Sequence, residues 1–462
     1  MSMGQAHEPI IIREYDTLIS EADQKRAGFD YAATLPPAIF AALEAFLLQG
    51  KDGEEKGSEA GKFLHCSYNR SGVKIISARN YVGVIAMGDG TTIEIRPKIC
   101  TVRDGKSVIL GQDDQDQLQV YLDMLRTVLD IPYKRFDEAS LLADKMPLLE
   151  IFIRMFLQEV TKLLRHGLKY GYVPREGNER FLRGRLDFNQ QIRHNLIHKE
   201  RFYVHYDEFM ADRPENRLIK STLRWVARNS KDGTNRRECR RCLDMFADVN
   251  ESVNIAGDFA KYTANRNMRE YEQLLKWCRV FLLRQCFTVF SGKEVAWALL
   301  FPMEKLFESY VAQKLSSYIA NDNMNGYSVN AQEQRKYLFD EPRRFALRPD
   351  MVVRRKGEDR NEDKCWVLDT KWKRLYHDPD KNYGISQGDM YQMYAYQKKY
   401  ACEKVVLVYP FWEGVEVKED QAPLATYTAD DSVTVEVMLF DLMHTDKSVE
   451  RLAKRIQIPP NK

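Results

Sequence analysis

The spacing of apolar residues changes twice along the chain, and that change limits the possible folds more than any single motif does. Over the first hundred or so residues β-branched runs recur at 10–12, 73–76, 81–86 and 92–95, the pattern of short strands. From about 116 to 290 the period becomes three and four, as in Leu149, Ile151, Phe152, Met155, Phe156, Val160 and Leu163, which places one apolar face on each of several helices. Beyond Lys293 helices and strands alternate. With 462 residues the chain also exceeds one ordinary core. The expectation is an α/β multidomain protein: a β-rich N-terminal domain over 1–115, a mainly helical middle region over 116–292, and a mixed C-terminal domain over 293–462.

Local signals refine this outline. Pro36 and Pro37 open a helix running to about Leu48. Gly88-Asp89-Gly90 supplies the positive-φ positions of a hairpin, so the strands on either side should pair antiparallel. The stretch 169–187 is rich in Gly, Arg and Tyr and reads as an extended loop or ribbon. In the last third, a helix is expected over 302–318, strands near 335–338, 345–355 and 365–371, a helix over 386–400 and a strand over 404–410.

Composition excludes several classes. An apolar content of 44% with 30% charged residues suits a globular chain rather than a disordered one. No uninterrupted apolar run approaches the ~20 residues of a spanning helix, and the first thirty residues lack a secretory leader pattern, so a cytoplasmic protein without membrane contact is expected. The 70 basic and 67 acidic residues nearly cancel to +3, so attraction to phosphate must come from local patches. Eight scattered cysteines fit reduced thiols. The close pair Cys239 and Cys242 lacks two further soft ligands nearby and reads as helix positions rather than a zinc site.

Chemistry concentrates near the C-terminal end. Leu347-Arg348-Pro349-Asp350 sets an acid after a stiff proline at the entry to a strand. A polar loop follows, and the returning apolar strand ends in Asp369-Thr370-Lys371. Side chains two apart share a strand face, so Asp369 and Lys371 point together, and pairing of the strands brings Asp350 to the same end. Two carboxylates with the Thr370 carbonyl form an oxygen donor set for Mg2+, and Lys371 can orient water or offset phosphate charge. Glu304 and Glu308 share one face of the preceding helix; each also suits a solvated helix position, and Glu304 a first-turn acid facing the dipole. Gln392 and Tyr396 likewise share a helical face, although Met393 and Tyr396 also suit core packing. Basic clusters at Arg175, Arg180, Arg183 and Arg185, interleaved with Tyr172 and Phe181, and at Arg236, Arg237, Arg240 and Arg241 suit DNA contact. The alternative for the first is ion pairing to Glu176, Glu179 and Asp187, and for the second a plain exposed helix face.

The order Arg-Pro-Asp, strand, polar loop, Asp-Thr-Lys and amphipathic helix closely resembles the PD-(D/E)xK nucleases, whose restriction-endonuclease-like α/β fold it implies for the C-terminal domain. The Gln392/Tyr396 spacing is similar to that of RecB-like nucleases, which implies bonds from this pair to the lysine or the DNA backbone. The resemblance also implies a third acid from the first helix, either Glu304 or Glu308, with Glu308 favoured because it follows Leu-Phe as in the resembled family. With Trp372 after the lysine, and with the segments 78–83, 93–99, 182–186, 206–209 and 216–217, the chain resembles the McrC family, nuclease subunits of McrBC-type modification-dependent restriction systems. The resemblance implies Mg2+-dependent cutting of double-stranded, modified DNA, with methylcytosine the expected modification. It also implies a partner, an McrB-like AAA+ GTPase hexameric ring that the N-terminal domain would enter and stimulate. The loops 50–61 and 88–90 are candidate tips. No phosphate-binding loop of the Gly-x-x-x-x-Gly-Lys-Ser/Thr type is present; Gly57 to Phe63 is one residue short. Two other functions stay open. One is a stand-alone RecB-like exonuclease, whose iron-sulfur variant is disfavoured because no cysteine follows Cys402. The other is a non-catalytic activator of a ring NTPase, for which retained acids and lysine on one strand face have no purpose.

Overall fold

The computed structural model describes residues 9–26, 28, 31–48, 63–87, 91–103, 106–109, 115–128, 146–262, 269–282, 295–321, 326–356, 364–376, 378–412 and 423–458. The candidate loops 50–61 and 88–90 and most of the polar loop after Lys356 lie outside the described residues. Contacts gather into two compact units, Met1–Ala143 with Phe290–Lys462, and Asp144–Val289. Among the described residues no helix is long and apolar enough to cross a membrane.

The N-terminal part of the first unit comprises β1 (Ile10–Arg13), β2 (Thr17–Ser20), β3 (Ala33–Leu35), α1 (Pro37–Leu48), β4 (Leu64–Tyr68), β5 (Lys74–Ala78), β6 (Tyr81–Met87), β7 (Thr92–Arg96), β8 (Cys100–Arg103), β9 (Lys106–Ile109) and α2 (Gln115–Val128). Pro37 is the first residue of α1, where its missing N–H leaves no bond unmade. Strands β6 and β7 pair antiparallel, as the glycines between them predict. Leu18, Leu43, Ile76, Ile85 and Ile95 meet in one core beneath these strands.

The second unit contains α3 (Leu148–His166), β10 (Gly171–Glu179), β11 (Arg185–Leu186), α4 (Phe188–Asn195), β12 (Phe202–Met210), α5 (Pro214–Asn229), α6 (Gly233–Met245), α7 (Ile255–Lys261) and α8 (Arg269–Leu282). The periodic residues of α3, including Ile151, Phe152, Met155, Phe156 and Val160, are buried as their spacing requires. The expected ribbon is present, but it belongs to a sheet of order β10-β12-β11 inside the helical region. Strand β12, which the sequence reading missed, pairs with β10 from Gly171↔Met210 to Glu179↔Phe202. Cys239 and Cys242 lie on the buried face of α6. Its arginines 236, 237, 240 and 241 are exposed.

The C-terminal part of the first unit runs β13 (Val295–Pro302), α9 (Met303–Asn321), β14 (Tyr327–Ala331), β15 (Tyr337–Asp340), β16 (Arg343–Ala346), β17 (Met351–Arg355), β18 (Lys364–Thr370), α10 (Gln387–Tyr400), β19 (Lys404–Pro410), β20 (Ala425–Thr428), β21 (Thr434–Phe440) and α11 (Thr445–Arg455). Six strands form a mixed sheet of order β14-β17-β18-β19-β21-β20. The pairs β17/β18 and β14/β17 are antiparallel, whereas β18, β19 and β21 run parallel. Parallel strands covered on both faces must be apolar throughout, and β19 is buried from Val405 to Pro410. Val352, Val367, Met393, Tyr396, Val405 and Leu407 join α10 to the sheet.

Two differences from the sequence reading bear on function. The strand expected over 345–355 is two strands, β16 and β17, because Pro349 between them has no N–H for a ladder. Strand β13 is not part of the C-terminal sheet but lies antiparallel to β6, extending the order β1-β7-β6-β13. The two backbones approach so closely at Gly83 (φ 139°) that a Cβ there would stand 1.9 Å from the Leu299 carbonyl oxygen.

Candidate active site

The register of β17 and β18 assembles the site. Met351 pairs with Leu368, so the acids just beyond them, Asp350 and Asp369, come to the same end of the strand pair. The amide and the hydroxyl of Thr370 both donate to Asp350 Oδ2, at 2.7 and 2.6 Å. The Lys371 amide continues the parallel ladder to the Val408 carbonyl at 2.9 Å. Two positions on from Asp369, Lys371 returns to its face, and Nζ lies 2.7 Å from Asp369 Oδ2.

Helix α10 supplies the next layer. Ser386 caps its N-terminus by accepting from the Asp389 amide. One turn further on, Gln392 accepts from Lys371 Nζ at 3.3 Å and donates to the Tyr396 hydroxyl at 2.7 Å. Tyr396 is almost fully buried in the core under the sheet, so the core-packing and the lysine-bonding alternatives describe one arrangement. Asp389 forms an ion pair with Lys373 at 2.7 Å.

Helix α9 brings one acid near and sends the other elsewhere. Glu308 is buried, accepts from Gln332 Nε2 at 2.8 Å and from Lys305 Nζ at 2.9 Å, and adds its charge to those of Asp350 and Asp369. Gln332 also donates its amide to the Asp350 carbonyl, linking the two acids. Glu304 instead accepts from Asn80 Nδ2 at 3.1 Å. Trp372, adjacent to the lysine, is buried against Phe307 and Trp412 and donates Nε1–H to Glu14 Oε2 at 2.8 Å.

Crowded buried acids raise one another's proton affinity. Burial, then the charges of Asp369 and Glu308, push Asp350 up to about 7. Burial likewise raises Asp369, against the pull of Lys371. Burial alone would lower Lys371, but the Asp369 carboxylate more than offsets it and holds the ammonium above its usual value. Among the described residues no three His, Cys, Asp or Glu side chains converge as a ready metal cage. The donor chemistry nevertheless fits a hard divalent cation: the groups are carboxylate oxygens, and a cation between them would relieve the repulsion that raises Asp350.

The arginines expected to meet DNA belong to the other unit. Arg183 stacks over the Tyr206 ring at 3.6 Å and pairs with Glu179 at 2.8 Å, while Arg175 lies 3.6 Å from Glu208. Glu176 and Asp187 approach His205 instead of the arginines. Arg180 is exposed, and Arg185 lines a cleft of about 500 Å3 with Arg175, His205 and Tyr206. The sequence reading missed Gln332, Asp389 and Glu14. Only the Ser386-x-x-Asp389 capping pattern carried a local signal.

A comparison with curated proteins returns no match. Among solved structures, the chain is similar to one from the refined half-complex of the tetradecameric assembly of Thermococcus gammatolerans McrB AAA+ hexamers with bound McrC. The identity is 20% and the TM-score 0.63, over 97% of this chain and 100% of that one. A chain of the cryo-EM structure of the Thermococcus gammatolerans McrBC complex aligns at 21% identity and a TM-score of 0.44, over 66% of this chain and 86% of that one. The family model described as McrBC 5-methylcytosine restriction system component matches residues 76–410. That span takes in strands β6 to β9, the helical unit and the acids of β17 and β18, and the chain belongs to this family.

Proposed function

We propose that this chain is the DNA-cutting subunit of an McrBC-type restriction system, with a PD-(D/E)xK site made by Asp350, Asp369 and Lys371. The observation that carries the reading is the junction of β17 and β18, where Asp350, Asp369 and Lys371 meet one another, with Glu308 and Gln392 close by. Asp350, Asp369, the Thr370 carbonyl and Glu308 are the groups that would hold Mg2+. When bound, the ion supplies Lewis-acid polarisation of the phosphate and a more acidic water. Thr370 keeps Asp350 in place from two donors, so that carboxylate is positioned before substrate arrives. Gln392, fixed by Tyr396, holds the Lys371 ammonium, and the ammonium neutralises charge gathering on the phosphate oxygens.

The partner in this reading is an McrB-like AAA+ GTPase hexameric ring, which would deliver double-stranded DNA containing modified cytosine and whose hydrolysis the chain would stimulate. Among the described residues each chain offers one such set of acids, so cutting both strands calls for two copies. The test is cleavage of cytosine-methylated and unmodified plasmid with Mg2+ and GTP or ATP, with and without the ring protein, comparing the unaltered chain with Asp369→Ala. Cutting that needs the partner, the nucleotide and Asp369 supports the proposal. Unchanged cutting by Asp369→Ala moves the site elsewhere, and nucleotide stimulation without any cutting favours a pure activator.

A further inference from the structure

Strands β15 and β16 take no part in the six-stranded sheet; they form a two-stranded ribbon of their own, in register Tyr337↔Ala346, Phe339↔Arg344 and Asp340↔Arg343. Leu338 to Asp340 and all of β16 are exposed. A lone two-stranded ribbon is marginal in water, yet this one shows Phe339 and Phe345 to solvent at 56% and 72% exposure, their rings 6.0 Å apart. Neither ring serves a core. Around them stand Arg335, Lys336, Arg343, Arg344 and Arg348, all exposed, against Asp340 and Glu341 as the ribbon's own acids.

The ribbon is tied to the candidate site from two sides. Asp340 forms an ion pair with Lys399 of α10 at 2.7 Å, on the helix that carries Gln392. Strand β16 leads through Leu347, Arg348 and Pro349 directly to Asp350, and the Leu347 amide bonds the Lys336 carbonyl at 2.9 Å to close the base. Phe345 keeps a left-handed backbone that a bulky residue rarely adopts.

We propose that the β15–β16 ribbon is a DNA-docking arm that lies in a groove of the substrate duplex beside the acids. Arg335, Lys336, Arg343, Arg344 and Arg348 contact phosphates, and Phe339 and Phe345 press on sugar and base edges. A major groove ~12 Å wide admits a two-stranded ribbon. A local excess of cations one proline away from an acid that must reach the scissile phosphate has DNA as its natural partner. The proposal rests on the nuclease reading above and extends it by naming where the duplex is held.

The experiment is equilibrium binding of the full chain to a labelled DNA duplex across ~50 to ~200 mM salt, with cleavage followed in parallel. Replacing Arg343→Ala with Arg344→Ala is expected to weaken binding at least about tenfold at low salt and to reduce the slope of log K against log salt by about 2, near 0.9 per lost phosphate contact. Arg343→Lys with Arg344→Lys keeps the slope. Phe339→Ala with Phe345→Ala weakens binding while leaving the slope unchanged. Thermal unfolding of each variant, matched to the unaltered chain, separates a lost contact from a lost fold. If folded Arg and Phe variants bind with unaltered affinity and slope, the proposal is overturned. It also falls if they keep DNA binding but lose association with the ring protein, since the arm is then a protein contact. Asp369→Ala reads the other question: arm-dependent binding without any Asp369-dependent cutting sinks the nuclease reading and leaves the arm standing.

Discussion

Glu304 and Glu308 stand one helical turn apart and meet different neighbours. Glu308 is buried beside Asp350, while Glu304 bonds Asn80. Glu308→Gln is expected to cut DNA cleavage about a hundredfold with association to the ring protein intact, and Glu304→Gln to leave cleavage nearly unchanged; paired cleavage and co-elution assays check both. Glu14 makes a pH prediction. Fully buried, it accepts from the Lys98 amide and Trp372 Nε1 at 2.8 Å each, with the Lys98 charge opposing and the Asp16 charge adding to the effect of burial, which raises it to about 7. An acid whose folded value is raised favours the fold below its unfolded value near 4.5, and that contribution is lost as pH climbs through about 7. The loss is about 3 kcal/mol. Urea midpoints are expected to fall from pH 5 to pH 8 for the unaltered chain, with Glu14→Gln removing its own share of the change while Asp350, also raised to about 7, supplies another; a fall of the same size in both proteins would exclude Glu14 as a source. The common side of Asp369 and Lys371 is legible in sequence because strand alternation fixes it, as helical spacing fixes Gln392 against Tyr396. Gln332 and Glu14 are not legible, because their partners lie in segments that only the fold brings near.

Local pattern located the elements whose neighbours are close in sequence. The helix begun by Pro37, the capped helix at Gln387–Tyr400 and the strand Lys404–Pro410 all follow from it. It could not find β13, whose partner β6 lies some two hundred residues earlier, nor the pairing of β12 with β10. Gly83 marks where β13 and β6 touch. Gly83→Ala places a methyl against the Leu299 carbonyl and forces a positive φ, so a destabilisation of about 3 kcal/mol or more is expected. Urea unfolding measures it, and a change under about 1 kcal/mol would show that the strands move apart freely.

At the scale of the molecule, chain order and packing order differ. The N-terminal strands and the segment carrying the acids form one compact unit, and the helical segment between them another. A fragment beginning at Met303 therefore lacks β13 in its place on β6 and leaves the Trp372 indole without Glu14. Such a fragment is expected to show no cooperative urea transition and no cleavage, where the full chain shows a sharp transition; a cooperative, cutting fragment would contradict the shared packing. The bond between Glu14 and Trp372 carries a further consequence, for heredity rather than stability. Replacing the first hundred residues by those of another family member that lacks an acid at position 14 would leave the Trp372 indole without its acceptor. Recombination should thus yield working hybrids only where Glu14, Lys98 and Trp372 travel as one set.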